Sequence, residues 1–270
     1  MNRETLEGLV AELERIYGIR ILLLSECSSR AWGLSTSSSD FDLAFVYHQL
    51  PWAKRLEDTS NNIHYKKFEG YDFRGYDVRR SFALACNSNL GMYEMLHSPI
   101  RYASDFCASS LMMNTVEKYY APGVLFDSLQ GHTKKILLKQ TEQDIKAFTS
   151  KDFQYMLRFA CMAQQIYGGT KLKTDMASIR PADFHLMEYQ FLCGLRNISA
   201  PEFAEFKQSE LFERVIAFCT HTVGKLRFQN RPPRPIDDEF YSHANGNHTA
   251  LQQWCAGDHI NLEYNEGAFQ

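Results

Sequence analysis

Asp40 and Asp42 stand two apart at the mouth of an extended run, Phe41 to Tyr47. Successive side chains alternate along a strand, so both carboxylates project from one face, where they can share a divalent ion. Without a cation the two charges repel, and one protonates or turns to solvent. An Asp-x-Asp on a strand therefore suggests metal, although a solvated strand start can use the same pair to satisfy turn amides. The stretch before them, Ser28-Ser29-Arg30-Ala31-Trp32-Gly33 through Ser39, is a small-residue turn. Its backbone amides can approach a triphosphate closely, and Arg30 offers a charged fork. A third carboxylate is then expected from a neighbouring strand. Asp77, in Gly75-Tyr76-Asp77-Val78-Arg79-Arg80 at the end of the fourth extended run, is the candidate. Three convergent carboxylates can hold two Mg²⁺ ions about 3.5–4 Å apart, one activating an attacking hydroxyl and the other clamping a leaving pyrophosphate. Mn²⁺ is the substitute ion.

Other residues carry two readings each. Arg79 and Arg80 follow the third carboxylate and either touch phosphate or form an exposed helix start. Trp32 is a packing anchor for the turn or a platform for a base. Lys151 and Arg158, seven apart, share a helical face as a basic strip toward the site. Lys134, Lys135 and Lys139 read as a solvated helix face, with contact to an RNA backbone the minority reading.

The elements that must position these groups can be read from periodicity. Leu6, Leu9, Val10, Leu13 and Ile16 recur at helical spacing and end at Gly18. Ile19 to Leu24 is a buried strand, Phe41 to Tyr47 a second, and Ile63 to Phe68 with Tyr71 to Val78 a hairpin joined at Glu69-Gly70. From Arg80 the pattern turns helical. Asn87-Ser88-Asn89 offers caps for a helix over Leu90 to Leu96, stopped by Ser98-Pro99. Helices follow over Val124 to Phe148, Phe153 to Tyr167, Pro181 to Leu195 and Pro201 to about Phe228. This order predicts an α+β domain with a small mixed β-sheet over residues 1–110, an all-helical domain over 111–228, and an irregular tail over 229–270.

Composition narrows the class. A chain of 270 residues with 44% hydrophobic and 23% charged residues buries a core without staples. No run approaches the roughly 18 apolar residues of a membrane helix, and the charged start predicts no standard secretion signal. The seven cysteines are scattered without a Cys-x-x-Cys pair, which predicts reduced thiols in a cytoplasmic protein and no structural zinc. A net charge of −3 argues against binding nucleic acid through global charge and leaves room for a local basic patch.

The segment Ser29-Arg30-Ala31-Trp32-Gly33 with Ser39-Asp40-Phe41-Asp42, followed by Gly75-Tyr76-Asp77-Val78-Arg79-Arg80, resembles the nucleotidyltransferase superfamily of DNA polymerase β. More narrowly it is similar to the predicted nucleotidyltransferases associated with RNA repair. Ser88-Asn89, then Glu94-x-Leu96-x-Ser98-Pro99-Ile100-x-Tyr102, is a third matching block, and Lys151 with Tyr155-Met156-Leu157-Arg158 a weaker fourth. The resemblance covers roughly residues 20 to 160. It implies a polymerase-β-like palm followed by helices, with Asp40 and Asp42 ligating two metals. Asp77 would ligate the catalytic one, nearest the attacking hydroxyl.

Ser28, Ser29, Arg30, Arg79, Lys151 and Arg158 would bind the nucleoside triphosphate, ATP among the possible donors. Glu94, Ser98 and Tyr102 match the family and equally suit a brace between sheet and helix. The implied acceptor is an RNA end, tRNA-like, in repair or modification. A protein or a small molecule is the alternative acceptor, and a catalytically silent nucleotide- or RNA-binding module the alternative class. No membrane is implied, and a protein partner is left open. In one place the chain departs from the family: its Gly-Ser turn reads Ser28-Ser29 here. Serine does not take positive φ as cheaply as glycine, so a strained turn at 28 would alter nucleotide binding.

Overall fold

A computed structural model describes residues 3–50, 62–65, 71–104, 106–141, 148–170, 172–224 and 226. The element order is α1 (Arg3–Tyr17), β1 (Ile19–Glu26), α2 (Ser28–Ala31), β2 (Phe41–Gln49), β3 (Asn62–Tyr65), β4 (Tyr71–Asp77), α3 (Val78–Cys86), α4 (Leu90–Leu96), β5 (Arg101–Ser104) and α5 (Phe106–Tyr119). Then come α6 (Pro122–Thr141), α7 (Ser150–Tyr167), α8 (Leu186–Gly194), α9 (Ala200–Phe206) and α10 (Glu210–Gly224). The α+β class with a small mixed sheet holds. Contacts divide the described chain into two units. One contains the residues up to Ala31 and Asp40–Tyr120; the other contains Trp32–Ser39 and the residues from Ala121 onward. The sequence reading put the change at residue 110, whereas α5 belongs with the sheet.

In the first unit the sheet runs β3-β4-β2-β1-β5. The β2–β4 pair is parallel, and β1–β2, β1–β5 and β3–β4 are antiparallel. β5 is a fifth strand where four were expected; its four residues are too short to show a period, and only their pairing to β1 makes them a strand. The 3.6-residue spacing of α1 places Leu6, Leu9 and Leu13 in one buried cluster with Ile19, Ile21 and Leu24 of β1, Leu43, Phe45 and Tyr47 of β2, and Phe73 of β4. α3 packs on β2 and β4, and α4 and α5 on β1. Gly75 pairs with Phe45, and a Cβ at Gly75 would come within 2.3 Å of that ring, so glycine here lets the aromatic lie against β4.

In the second unit α6, α7 and α10 pack together. Thr149 caps α7 in a reciprocal box with Asp152, and Phe153 behind it is fully buried, ringed by Phe148, Phe203, Phe206 and Phe212 at 5.3–6.5 Å. The helix expected from Pro181 begins at Leu186, with His185 at its N-cap position. The helix expected from Pro201 to about Phe228 is two, α9 and α10, broken at Lys207-Gln208-Ser209, where Ser209 Oγ accepts from Phe212 N. No described helix is long and apolar enough to cross a membrane. The expected hairpin connection at Glu69-Gly70 and the whole of the expected 229–270 tail lie outside the described residues.

Candidate active site

β2 opens at Phe41, so Asp40 and Asp42 bracket its first residue. Alternation sends Leu43, Phe45 and Tyr47 into the apolar cluster and leaves Asp42 on the opposite face. Asp40 is exposed and Asp42 half-buried. Because β2 and β4 run parallel, their starts lie together, and Asp42 is the direct register partner of Asp72. Partners in a ladder project on the same side, which puts Asp72 on the same face as Asp42.

Asp77 is the register partner of Tyr47, five positions further on, about 17 Å along the strand at ~3.3 Å per residue. Its carboxylate accepts from Arg79 N at 2.9 Å and caps α3. Burial, then the charge of Asp77, pushes the Tyr47 phenol up to about 12. The metal role expected of Asp77 would set it beside Asp42, whereas the structure puts Asp77 at the far end of the strand pair as the cap of α3, with Arg79 in the first turn of that helix. The odd separation of Asp72 from Asp77 also puts them on opposite faces.

The turn ahead of the aspartates is held to them by backbone. Cys27 N donates to Asp42 O at 2.7 Å. Ser28 follows with φ +59°, in the left-handed region where a glycine would be unstrained. Ser29 is buried. Further along, Thr36 N donates to Ser39 Oγ at 2.8 Å and Ser39 N to Thr36 O at 3.1 Å, so this end of the small-residue stretch closes on itself.

Arg30 is committed elsewhere. Its Nε donates to Oε1 of the fully buried Glu26 at 2.7 Å, and its guanidinium lies 4.0 Å from the centroid of Phe41, which in turn stacks on Tyr71 at 5.1 Å. It braces the aromatic pair that immediately precedes Asp42 and Asp72 in register, rather than standing as an open fork.

Arg74 supplies positive charge at the acidic end. Asp72 Oδ2 accepts from Arg74 Nη2 at 3.1 Å. Burial lowers the affinity of Arg74 for its proton, but Asp72 and then Asp42 raise it further. Burial first, then the charges of Glu94 and Asp42, pushes the Cys27 thiol up to about 12, which favours its neutral form. Glu94 thus bears on the same end as Asp42. Ser98 is a brace: its Oγ donates to Glu26 O at 2.6 Å, tying β1 to the start of β5. Tyr102 is buried, its phenol pushed upward by burial and then by Glu26.

Among the described residues no three His, Cys, Asp or Glu side chains stand close enough to hold an ion between them. The candidate donors Asp40, Asp42 and Asp72 carry hard carboxylate oxygens, the ligand type that Mg²⁺ takes.

In the second unit the expected basic strip is corrected. Arg158 has a relative exposure of 0%; its Nε and Nη2 donate to Thr174 O at 3.0 and 2.7 Å, and its guanidinium lies 3.7 Å from the Trp32 centroid. Trp32 is pinned further by Tyr155 edge-on at 5.4 Å and by Met176 N donating to its carbonyl at 2.9 Å. It is a packing anchor. Lys151, on the first turn of α7, is exposed. Lys134 and Lys135 are exposed, while Lys139 pairs with Asp152 at 2.9 Å.

The sequence reading did not single out Asp72, the register partner of Asp42. The signal was present in Tyr71-Asp72-Phe73-Arg74, whose alternation puts Asp72 and Arg74 on the polar face. What was missing was the direction of β4 relative to β2.

Residues 2–202 match the sequence model of RlaP, the RNA repair pathway DNA polymerase beta family. The chain is also 26% identical over 188 residues, 67% of its length and 68% of the relative's, to the uncharacterized protein YcgL of Bacillus subtilis (strain 168). The matched span contains every residue of the acidic end and both braces beneath it, and the chain belongs to the RNA repair pathway DNA polymerase beta family.

Proposed function

We propose that the protein is a metal-dependent nucleotidyltransferase that moves a nucleoside monophosphate from a nucleoside triphosphate to a hydroxyl, with an RNA end as acceptor. One observation carries this reading: Asp42 of β2 and Asp72 of β4 are direct register partners beside Asp40, at the end of the sheet fed by the Ser28-Ser29 turn. Family membership supports the chemistry and the RNA acceptor. Cys27, Cys86, Cys161, Cys193 and Cys219 are free thiols, which suits a reducing cytoplasm.

Asp40 and Asp42 would hold both Mg²⁺ ions and Asp72 one of them. When bound, the ions would polarise the phosphoryl group and neutralise the leaving pyrophosphate. The chain's own part is positioning. Backbone amides at Ser28 and Ser29 would orient the triphosphate, and Asp72, in the role expected of Asp77, would receive the proton of the attacking hydroxyl at its Oδ. Glu26, Arg30, Phe41 and Tyr71 hold the backbone of both carboxylate-bearing strands in register, so little rearrangement is needed at the reactive end.

The test is incorporation of each α-labelled ribonucleotide with Mg²⁺ and, separately, Mn²⁺, using total tRNA and an Asp40→Asn/Asp42→Asn control. Label on RNA that requires the aspartates is expected. Label on protein or a small molecule reassigns the acceptor. Nucleotide bound but never transferred supports the second reading, a silent module, which the strained φ of +59° at Ser28 favours.

A further inference from the structure

Tyr155 on α7 is half-buried and has two cations beside its ring. Lys151, one turn earlier, holds its Nζ 5.7 Å from the ring centroid. Arg196, in the 3-10 turn Leu195–Asn197 after α8, lies 5.4 Å from that centroid, and its Nη1 donates to the phenol oxygen at 3.4 Å. Both stand off the ring, unlike the closed stacks of Arg30 on Phe41 at 4.0 Å and Arg158 on Trp32 at 3.7 Å. Buried Trp32 backs Tyr155 edge-on at 5.4 Å. A third cation, the exposed Lys135, joins by position. His132 stacks on Phe159 at 5.0 Å and Lys139 pairs with Asp152 at 2.9 Å, so the row of α6 that meets α7 passes through 132, 135 and 139. Among the described residues none of Lys135, Lys151 and Arg196 pairs with a carboxylate, and Asp152 nearby is already held by Lys139.

We propose that this strip of the helical unit is a docking surface for single-stranded RNA, with Tyr155 as the platform for a base and Lys135, Lys151 and Arg196 against the neighbouring phosphates. The inference deepens the RNA-acceptor reading above and rests on it for the choice of RNA. Three cations without carboxylate partners around one ring repel one another, and a polyanion relieves that repulsion. A single strand also brings an unstacked base, whose flat face stacks on an aromatic ring whichever base it is. The ring is fixed before binding, at its edge by Trp32 and at its hydroxyl by Arg196, so little side-chain freedom is lost on stacking. With a net charge of −3 the whole chain does not attract a polyanion, so the attraction has to be local, as it is here. A duplex hides its base faces and would gain the phosphate contacts alone.

The test is fluorescence anisotropy of a labelled single-stranded RNA of about twelve nucleotides with the full chain, from about 50 to 200 mM salt. Tyr155→Leu is expected to weaken binding about tenfold, and Tyr155→Phe, which keeps the stacking face, to stay within about threefold of wild type. Lys151→Gln and Arg196→Gln should each lower the slope of log affinity against log salt by about 0.7, a change that lost packing alone does not produce. Lys134→Gln, two residues from His132 and so on the opposite side of α6, should keep the wild-type slope. A duplex of the same sequence should be indifferent to Tyr155→Leu. A wild-type slope in both cation variants overturns the proposal, as does wild-type affinity in Tyr155→Leu. ATP bound with the same dependence on Tyr155, Lys151 and Arg196 assigns the strip to the nucleotide and overturns it. Polyglutamate bound as tightly as the RNA assigns the strip to an acidic protein, with the same result. RNA bound through the strip by a chain that labels no RNA end upholds this inference and overturns the transfer reading. RNA ends labelled by wild type, with strand affinity unmoved by the strip variants, overturn this inference alone.

Discussion

Arg74 in the sheet unit and Arg158 in the helical unit are the same residue type in opposite circumstances. Arg158 is buried, with two donors on one carbonyl and its face on Trp32, so its charge is spent inside the protein. Arg74 is largely exposed, holds one carboxylate oxygen at 3.1 Å and bears on a second aspartate. The first holds a chain segment; the second pairs at the surface, where solvent screens it. Saturated, buried polar groups mark structure, whereas exposed like charges with a partial counter-ion mark a place that completes itself with a ligand.

The strongest way to break the comparison is at the two carboxylates of β4. Asp72→Asn should lower nucleotidyl transfer at least about a hundredfold, since a ligand at the reacting end is lost. Asp77→Asn should leave transfer within a few-fold of wild type, because asparagine also caps a helix. Steady-state rates of the two variants check this, and the opposite ranking would return the catalytic role to Asp77. Next in size, Arg158→Met should destabilise the protein by about 2–4 kcal/mol, through loss of the ring contact and an orphaned carbonyl. Denaturant titration measures it, with Arg74→Met near neutral in the same assay.

The smallest effect tests strain at the turn. Ser28→Gly relieves a left-handed serine, worth about 1–2 kcal/mol, against about 0.5–1 kcal/mol of added chain entropy. A net gain of about 0.5–1 kcal/mol in unfolding free energy is expected, together with a lower KM for the nucleotide. A loss of stability would show that the serine side chain makes up for its backbone.

Much of the site was legible because its parts are local. The Asp40–Asp42 pair, the turn before it and the cap at Asn89 each involve residues within a few positions of one another, and the structure contains them as read. Asp72 was not legible, since adjacency to Asp42 depends on β4 lying parallel to β2, a relation set by pairing across the intervening β3. Lys151 and Arg158 share a helical face by spacing, yet spacing does not say whether solvent or protein lies beyond that face. For Arg158 it is protein.

By itself the sequence determined the alternations and periods that make the elements, the carboxylate pair that starts β2, and the serine that strains the turn. These follow from backbone geometry over a few residues. Tertiary structure alone decided which carboxylate lies beside Asp42, which arginine is buried and which stays exposed. Strand direction and burial arise from contacts between residues distant in the chain, and a one-dimensional pattern is the same for either outcome.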